Sequence, residues 1–75
     1  MTAEIVGTMV RARRKALRMN QAELAMVSGT GVRFISDLEN GKESCQLGKT
    51  LRVLENLGLE LSATVKGEGA NGPSS

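Results

Sequence analysis

The sequence lacks the residue types on which most enzyme active sites are built. Its 75 residues include no histidine, and no cluster of metal-ligating residues stands in for it. Asp37 and Glu39 stand two positions apart, which points them to different sides of a helix and makes them a poor acid–base pair. We therefore predict a protein that is not an enzyme, with no catalytic residue, no bound metal and no cofactor.

Cysteine, aromatic residues and long apolar runs are also scarce. The one cysteine, Cys45, cannot form an internal disulfide, which favours a reducing compartment. No apolar run reaches the roughly 18 residues that a membrane span needs, and the N-terminus shows no signal-peptide pattern. We therefore expect a cytoplasmic protein without a membrane partner. With one Phe, no Trp and no Tyr, its core must come from aliphatic residues.

Charge is unevenly distributed along the chain, although the formal net charge is only +2. Residues 1–20 contain five basic residues and one acidic residue, whereas residues 21–75 contain five basic and seven acidic residues. This pattern fits either a polyanionic partner or an ordinary solvated helix face, and charge alone does not separate the two.

Apolar spacing predicts four helices in one small domain. The predicted ranges are 4–18, 20–28 with Asn20 as the N-cap, 32–40 and 47–57. Glu23, three residues after Asn20, completes a pattern like a capping box, and glycines at positions 29, 41 and 58 are placed to end helices. A single core of this size supplies only roughly 3–5 kcal/mol, so we also expect dimerisation.

Apolar positions within the second and fourth helices predict which faces are buried. In the second helix we expect Leu24, Ala25 and also Val27 to point inward. In the fourth helix a leucine stripe is expected to form core or a dimer seam. Its members are Leu47, Leu51, Leu54 and Leu57.

After Gly58 the apolar period changes to two, which is the signature of a strand. The apolar positions are Leu59, Leu61, Ala63 and Val65. A lone strand has no partner in a helical chain, so it either packs as an irregular tail or pairs with the same strand of a second subunit. We assign residues 1–66 to the domain with its dimerisation strand and residues 67–75 to a flexible tail.

Residues 20–42, NQAELAMVSGTGVRFISDLENGK, read as two short helices joined by a glycine-containing turn, a helix-turn-helix. Outward positions on the second helix can meet base edges in the major groove. The stretch resembles the helix-turn-helix of the lambdoid phage repressors and the wider Cro/repressor-like (XRE) family, over about residues 5–58. This resemblance implies an all-α, lambda-repressor-like bundle that binds double-stranded DNA.

A second resemblance is more specific. The segments LENLGLELSATV and GVRFISDLENGK…LGKTLRVLENLGL are similar to the HipB-like antitoxins. This resemblance implies a bacterial, nucleoid-associated homodimer that represses its own operon at a palindromic operator and neutralises a HipA-type kinase toxin. Two alternatives stay open: a phage- or plasmid-type autoregulatory repressor without a toxin, and a protein-interaction module that does not bind DNA.

The family resemblance also implies roles for individual residues. Base contacts are expected from Val32, Arg33, Ser36 and Asp37. Contacts to the DNA backbone are expected from Asn20, Gln21, Gly31, Phe34, Asn40 and Lys42, with Phe34 undecided between the backbone and the core. Arg14 and Glu39 occupy the positions of a structural ion pair between the first helix and the end of the third.

We call the four expected base-contact residues, Val32, Arg33, Ser36 and Asp37, the reading face. It differs from that of the phage repressors, which place glutamines at the positions of Val32, Arg33 and Asp37. Here only Arg33 is a strong donor, and a bidentate arginine–guanine contact contributes roughly 1–3 kcal/mol of discrimination. Asp37 is expected either to accept a hydrogen bond from a cytosine amine or to orient Arg33. The operator is therefore expected to differ from theirs. Lys49, near the start of the fourth helix, is placed equally well for solvent or phosphate.

Overall fold

The structure, a computed structural model, describes residues 2–43 and 45–62 of the chain. Its regular elements are the helices α1 (Ala3–Ala16), α2 (Gln21–Ser28), α3 (Val32–Glu39) and α4 (Leu47–Asn56). The four predicted helices are confirmed, with ends that differ from prediction by one or two residues. Within the described ranges, no helix combines the length and the apolar character needed to span a bilayer.

The helices enclose a small aliphatic core to which each contributes one face. α1 packs against α3, and α2 packs against both α3 and α4. Spacings of three and four residues bring the buried side chains to the same side of each helix. The buried apolar residues are Val10, Leu24, Ala25, Ile35, Leu38, Val53, Leu54 and Leu57.

Three apolar residues of the predicted faces are exposed: Val27, Leu47 and Leu51. Val27 faces outward because α2 buries the face that carries Leu24, Ala25 and Ser28, which lies away from Val27 around the helix. The leucine stripe of α4 is divided. Its C-terminal members are buried, whereas Leu47 and Leu51 are exposed in the single chain. Leu51 lies to one side of the buried face formed by Thr50, Val53 and Leu54, and Leu47 is the first residue of the helix. The expectation that Val27 points inward was therefore wrong. For the leucine stripe, Leu54 and Leu57 are core, and a dimer seam stays a prediction for Leu47 and Leu51.

The start of α2 is fixed by a capping box, as predicted. The Asn20 side-chain oxygen accepts the Glu23 N–H at 2.7 Å, and the Glu23 carboxylate accepts the Asn20 N–H at 2.8 Å. Two of the N–H groups that a helix start leaves unpaired are thereby satisfied. α3, in contrast, has Gly31 as its N-cap residue and therefore no side-chain cap.

All four helices end on a left-handed residue with the reversed hydrogen bonds of a Schellman motif. In α3 the Gly41 N–H donates to the Leu38 carbonyl at 3.1 Å, and the Lys42 N–H donates to the Asp37 carbonyl at 3.0 Å. The left-handed residues are Arg18, Gly29, Gly41 and Gly58. Three are the glycines that the sequence marked as helix ends. Arg18, at φ 59°, is the one non-glycine with positive φ in the described part of the chain.

Gly7 permits the close approach of α1 to the end of α3. A Cβ atom built on Gly7 would overlap the Leu38 carbonyl oxygen and lie 2.8 Å from the Glu39 carbonyl oxygen. These are backbone atoms, which cannot swing away as a flexible side chain can. In the sequence this glycine reads as a weak point inside a helix, but its role is to let two helix backbones meet.

The segment after α4 is irregular in the single chain. Leu59 is half-buried against the core and its N–H donates to the Leu54 carbonyl at 2.8 Å, while Leu61 is exposed. Residues 59–62 form no strand, because the Leu59 N–H closes the end of α4 and the described part of the chain contains no strand beside them. Ala63, Val65 and the predicted tail lie outside the described residues, so the intersubunit strand stays a prediction.

Candidate nucleic-acid interface

α2, the turn at residues 29–31 and α3 form a helix-turn-helix in which α3 is amphipathic and carries the reading face. Ile35 and Leu38 turn into the core, and on the other side Val32 and Arg33 are exposed while Ser36 and Asp37 are half-buried. This arrangement brings all four predicted base-contact residues onto the accessible part of one helix.

Arg33 occupies the second position of α3 and is uncommitted. Its side chain forms no hydrogen bond or ion pair with any residue that the structure describes. The first-turn N–H groups beside it are also uncapped, since Gly31 has no side chain to accept them. In helix-turn-helix complexes the N-terminal residues of the second helix meet the base edges. Arg33 therefore combines position, charge and availability for such a contact.

Asp37 is engaged by Lys42 and not by Arg33. The Lys42 Nζ lies 3.4 Å from the Asp37 Oδ2, although Arg33 stands one helical turn away on the same face. Asp37 was expected either to accept a hydrogen bond from a cytosine amine or to orient Arg33, and in this arrangement it forms no ion pair with Arg33. The pairing also joins a predicted base contact to a predicted backbone contact.

Arg14 and Glu39 form a buried, bidentate pair that ties α1 to the end of α3. The Arg14 Nε lies 2.6 Å from Glu39 Oε2, its Nη2 donates to Glu39 Oε1 at 3.0 Å, and its Nη1 donates to the Met19 carbonyl at 2.8 Å. The two side chains are only 9% and 3% exposed. Two parallel N–H···O bonds fix direction as well as distance.

The surroundings of Glu39 favour its charged form. Burial by itself raises the pKa of Glu39, but hydrogen bonds from Arg14 and Gln21 and the charges of Arg14 and Arg11 outweigh it, so the pKa lies below its ordinary value. For Arg14, the hydrogen bond to Glu39 raises the pKa, burial opposes this and the charge of Glu39 adds to it, with a net rise. The pair is therefore fully ionised near neutral pH.

Gln21 is placed inward by the same cluster. Its Nε2 donates to Glu39 Oε1 at 3.1 Å, so the first residue of α2 is held by the last residue of α3. Asn20 is occupied by the capping box, which leaves the N–H groups of Gln21 and Ala22 without partners among the described residues. Any approach of a phosphate here would therefore meet backbone N–H groups at the positive end of a helix.

Phe34 has the character of a core-edge residue. Its ring is half-buried and packed against the hydrophobic core, and the Lys49 ammonium lies 5.7 Å from the ring centroid. This distance is within the range of a cation–π contact. The stack brings a cation from the start of α4 next to α3. This contact could not be predicted from local sequence patterns, because the two residues belong to different helices.

The other predicted positions lie at the two ends of α3. Gly31 is its exposed N-cap residue with extended backbone, and Asn40 is its exposed C-cap residue. Both flank the reading face without a side-chain partner in the described structure.

The described residues form no metal site and present no reactive thiol. Residues 2–43 and 45–62 contain no cluster of three or more potential metal ligands. Burial raises the pKa of the Cys45 thiol, and the nearby charge of Asp37 adds to this against the opposing charge of Lys42. A protonated, half-buried thiol is a poor nucleophile.

The fold and its reading face are those of a nucleic-acid-binding helix-turn-helix protein. The chain belongs to the helix-turn-helix family HTH_3, whose model matches residues 10–62. It is also similar to the uncharacterised HTH-type transcriptional regulator y4mF of Sinorhizobium fredii (strain NBRC 101917 / NGR234). The two are 48% identical over 63 residues, which cover 84% of this chain and 83% of that protein. The predicted helix-turn-helix family is thus confirmed.

Proposed function

We propose that this protein is a transcriptional regulator that binds duplex DNA and reads its sequence with α3. The observation that carries the proposal is Arg33, an exposed and uncommitted guanidinium in the first turn of the second helix of a helix-turn-helix. Membership of the helix-turn-helix family and the likeness to a protein named as a transcriptional regulator support it.

In this proposal Arg33 donates two hydrogen bonds to O6 and N7 of a guanine, the commonest specific contact in the major groove. Val32, Ser36 and Asp37 read the neighbouring base edges. Contacts to phosphate and sugar hold the register, and we assign them to Asn20, Gln21, Gly31, Phe34, Asn40 and Lys42.

The buried cluster around Glu39 gives the reading helix its fixed orientation. Glu39 at the end of α3 binds Arg14 of α1 and Gln21 of α2, so three helices meet at one carboxylate. α2 and α3 have only eight residues each, and isolated helices of that length are barely stable in water. A rigid support of this kind reduces the entropy that α3 would lose on binding DNA.

We further propose that the protein acts as a homodimer on a palindromic operator, with two recognition helices about 34–36 Å apart. An apolar groove beside the segment after α4 supports this, since it lies where the predicted strand begins. Its lining consists of Val6, Met9, Leu54, Leu59, Glu60 and Leu61. The exposed side chains of Ile5 and Leu51 add to the apolar surface of α1 and α4.

Leu61→Asp tests the dimer, because Leu61 is exposed and the change leaves the described core intact. By sedimentation velocity we expect the wild type to be a dimer and the variant to shift toward monomer. Met26→Asp, on the exposed side of α2, is the matched control and is expected to remain dimeric. A wild type that sediments as a monomer at high micromolar concentration would contradict the dimer.

Within this class we propose a HipB-like antitoxin that represses its own operon and neutralises a HipA-type kinase. The proposal is supported by the similarity of the sequence around α4 and the segment after it to that group. A plain autoregulatory repressor without a toxin is the alternative. Co-purification with the product of an adjacent kinase gene, and loss of growth inhibition when the two are co-expressed, would favour the antitoxin; the absence of any such gene would favour the plain repressor.

DNA binding itself is tested with labelled duplexes from the region upstream of the protein's own gene, at about 50 mM salt. We expect binding that weakens steeply as salt rises, because bound counterions are released. Arg33→Ala is expected to lower affinity for the preferred duplex by at least about fivefold. Arg52→Ala, which removes the same charge from the exposed side of α4, is the control. No binding by the wild type, or equal losses in both variants, would defeat the proposal.

A further inference from the structure

The reversal of the chain at the end of α3 places Lys42 beside Asp37. Lys42 follows the left-handed residue Gly41 at the end of α3, and its N–H donates to the Asp37 carbonyl at 3.0 Å. The same residue pair is thus joined twice, once through the main chain and once through the side chains at 3.4 Å. The helix end therefore delivers a lysine to the one carboxylate on the reading face.

This side-chain pair is weak enough to be exchanged. The Lys42 and Asp37 side chains are 55% and 31% exposed, and exposed ion pairs contribute little to stability. A DNA phosphate offers Lys42 a competing anion with the added gain of counterion release. When Lys42 moves to a phosphate, Asp37 loses its partner in the presence of the base edges.

An unpartnered carboxylate is selective in the major groove because it can only accept hydrogen bonds. The edges of guanine, and N7 of adenine and O4 of thymine, present acceptors that repel it. Two amines are donors in this groove, cytosine N4 and adenine N6. Cytosine N4 is the usual partner of an acidic side chain, whereas adenine N6 lies beside the N7 acceptor, which repels a carboxylate. A base that presents an acceptor or a methyl group to Asp37 thus leaves a desolvated charge unpaired, which is costly.

Building on the proposed function, we propose that Asp37 is a specificity-determining residue that rejects operators lacking a cytosine at its position, and that Lys42 shields this carboxylate in the free protein. Lys42 exchanges partners from Asp37 to phosphate during binding, and Asp37 then exchanges Lys42 for the cytosine amine. Discrimination by a penalty on wrong sequences is a general route to specificity.

The test compares duplexes selected from a randomised pool by the wild type and by Asp37→Ala. We expect the wild type to select a cytosine at one position of each half-site, with at least about a fivefold preference. Asp37→Ala is expected to lose that preference while it keeps the guanine selected through Arg33. Glu55→Gln, which removes a negative charge from the exposed side of α4, should select the same sequences as the wild type.

A double-mutant cycle tests the exchange. Lys42→Gln is expected to weaken binding to all sequences about equally and to reduce the salt slope by about one. When Lys42 is present, Asp37→Ala should tighten non-specific binding about two- to fivefold, because the Asp37 carboxylate no longer competes with phosphate for Lys42. In the Lys42→Gln background the gain should be smaller, because that competition is already absent.

The outcomes separate this inference from the proposed function. If the wild type selects no sequence and binds no duplex at low salt, the proposed function is wrong. The wild type could instead select DNA in an Arg33-dependent way while Asp37→Ala selects the same consensus, or while Asp37→Ala and Lys42→Gln act independently. Either result would overturn the role of Asp37 and its exchange with Lys42, and DNA binding would stand.

Discussion

Replacing Glu39 with glutamine keeps the shape of the side chain and removes its charge, which leaves the Arg14 guanidinium buried beside a neutral amide. In the folded protein these side chains are 3% and 9% exposed and joined at 2.6 and 3.0 Å. Removing one partner of a buried ion pair costs about 3–5 kcal/mol, because the remaining charge is desolvated and uncompensated. A core of this size supplies roughly the same amount, so we expect Glu39→Gln to be largely unfolded as a monomer.

The assay is urea denaturation followed by far-ultraviolet circular dichroism, with the free energy of unfolding extrapolated to water. Glu43→Gln makes the same chemical change at an exposed site and is expected to stay within about 0.5 kcal/mol of the wild type. The double change Arg14→Met with Glu39→Leu should recover much of the loss, since apolar residues of similar volume tolerate burial. A Glu39→Gln variant within about 1 kcal/mol of the wild type would refute the reasoning.

Three further predictions concern stability. Because folding lowers the pKa of Glu39, this residue stabilises the folded protein fully at pH values above its unfolded pKa of about 4.3, and the stabilisation is lost as the pH falls through the lower pKa of the folded state. The urea midpoint of unfolding, measured from pH 6 to 2, should therefore fall with acid, and an unchanged midpoint would contradict this. Gly7→Ala should cost about 1–3 kcal/mol, because its Cβ meets the Leu38 carbonyl, whereas Thr8→Ala at an exposed position should cost far less; equal effects would refute the close approach. Arg18→Gly should stabilise the protein by up to about 1 kcal/mol by relieving a left-handed φ of 59°, whereas Arg18→Lys should be neutral; a destabilising Arg18→Gly would show that the strain is negligible.

The helices could be predicted from the sequence because the signals that define them are local. Apolar residues three and four apart mark the buried faces, and the capping box at Asn20 with glycines 29, 41 and 58 marks the ends. Val27 shows the limit of this reasoning. An eight-residue helix offers apolar residues on more than one side, and only its neighbours decide which side is buried.

The contacts between elements were harder to predict because they depend on how the helices cross. Gly7 meets carbonyl groups more than thirty residues away, and Lys49 meets Phe34 on a different helix. Even the pairing of Asp37 with Lys42, five residues apart, depends on the reversal of the chain at Gly41. A strand after α4 likewise depends on a second strand beside it, which local sequence signals do not reveal.

The most direct test of the central claim is a cycle between Arg33 and a single atom of the operator. In the selected duplex, the guanine assigned to Arg33 is replaced by 7-deazaguanine, which lacks the N7 acceptor but pairs normally with cytosine. Wild-type affinity, measured by fluorescence anisotropy at fixed salt, is expected to fall about fivefold or more. Arg33→Ala should bind both duplexes equally. If the replacement weakens the wild type and Arg33→Ala by the same factor, Arg33 does not read that guanine and the account of the reading face is wrong.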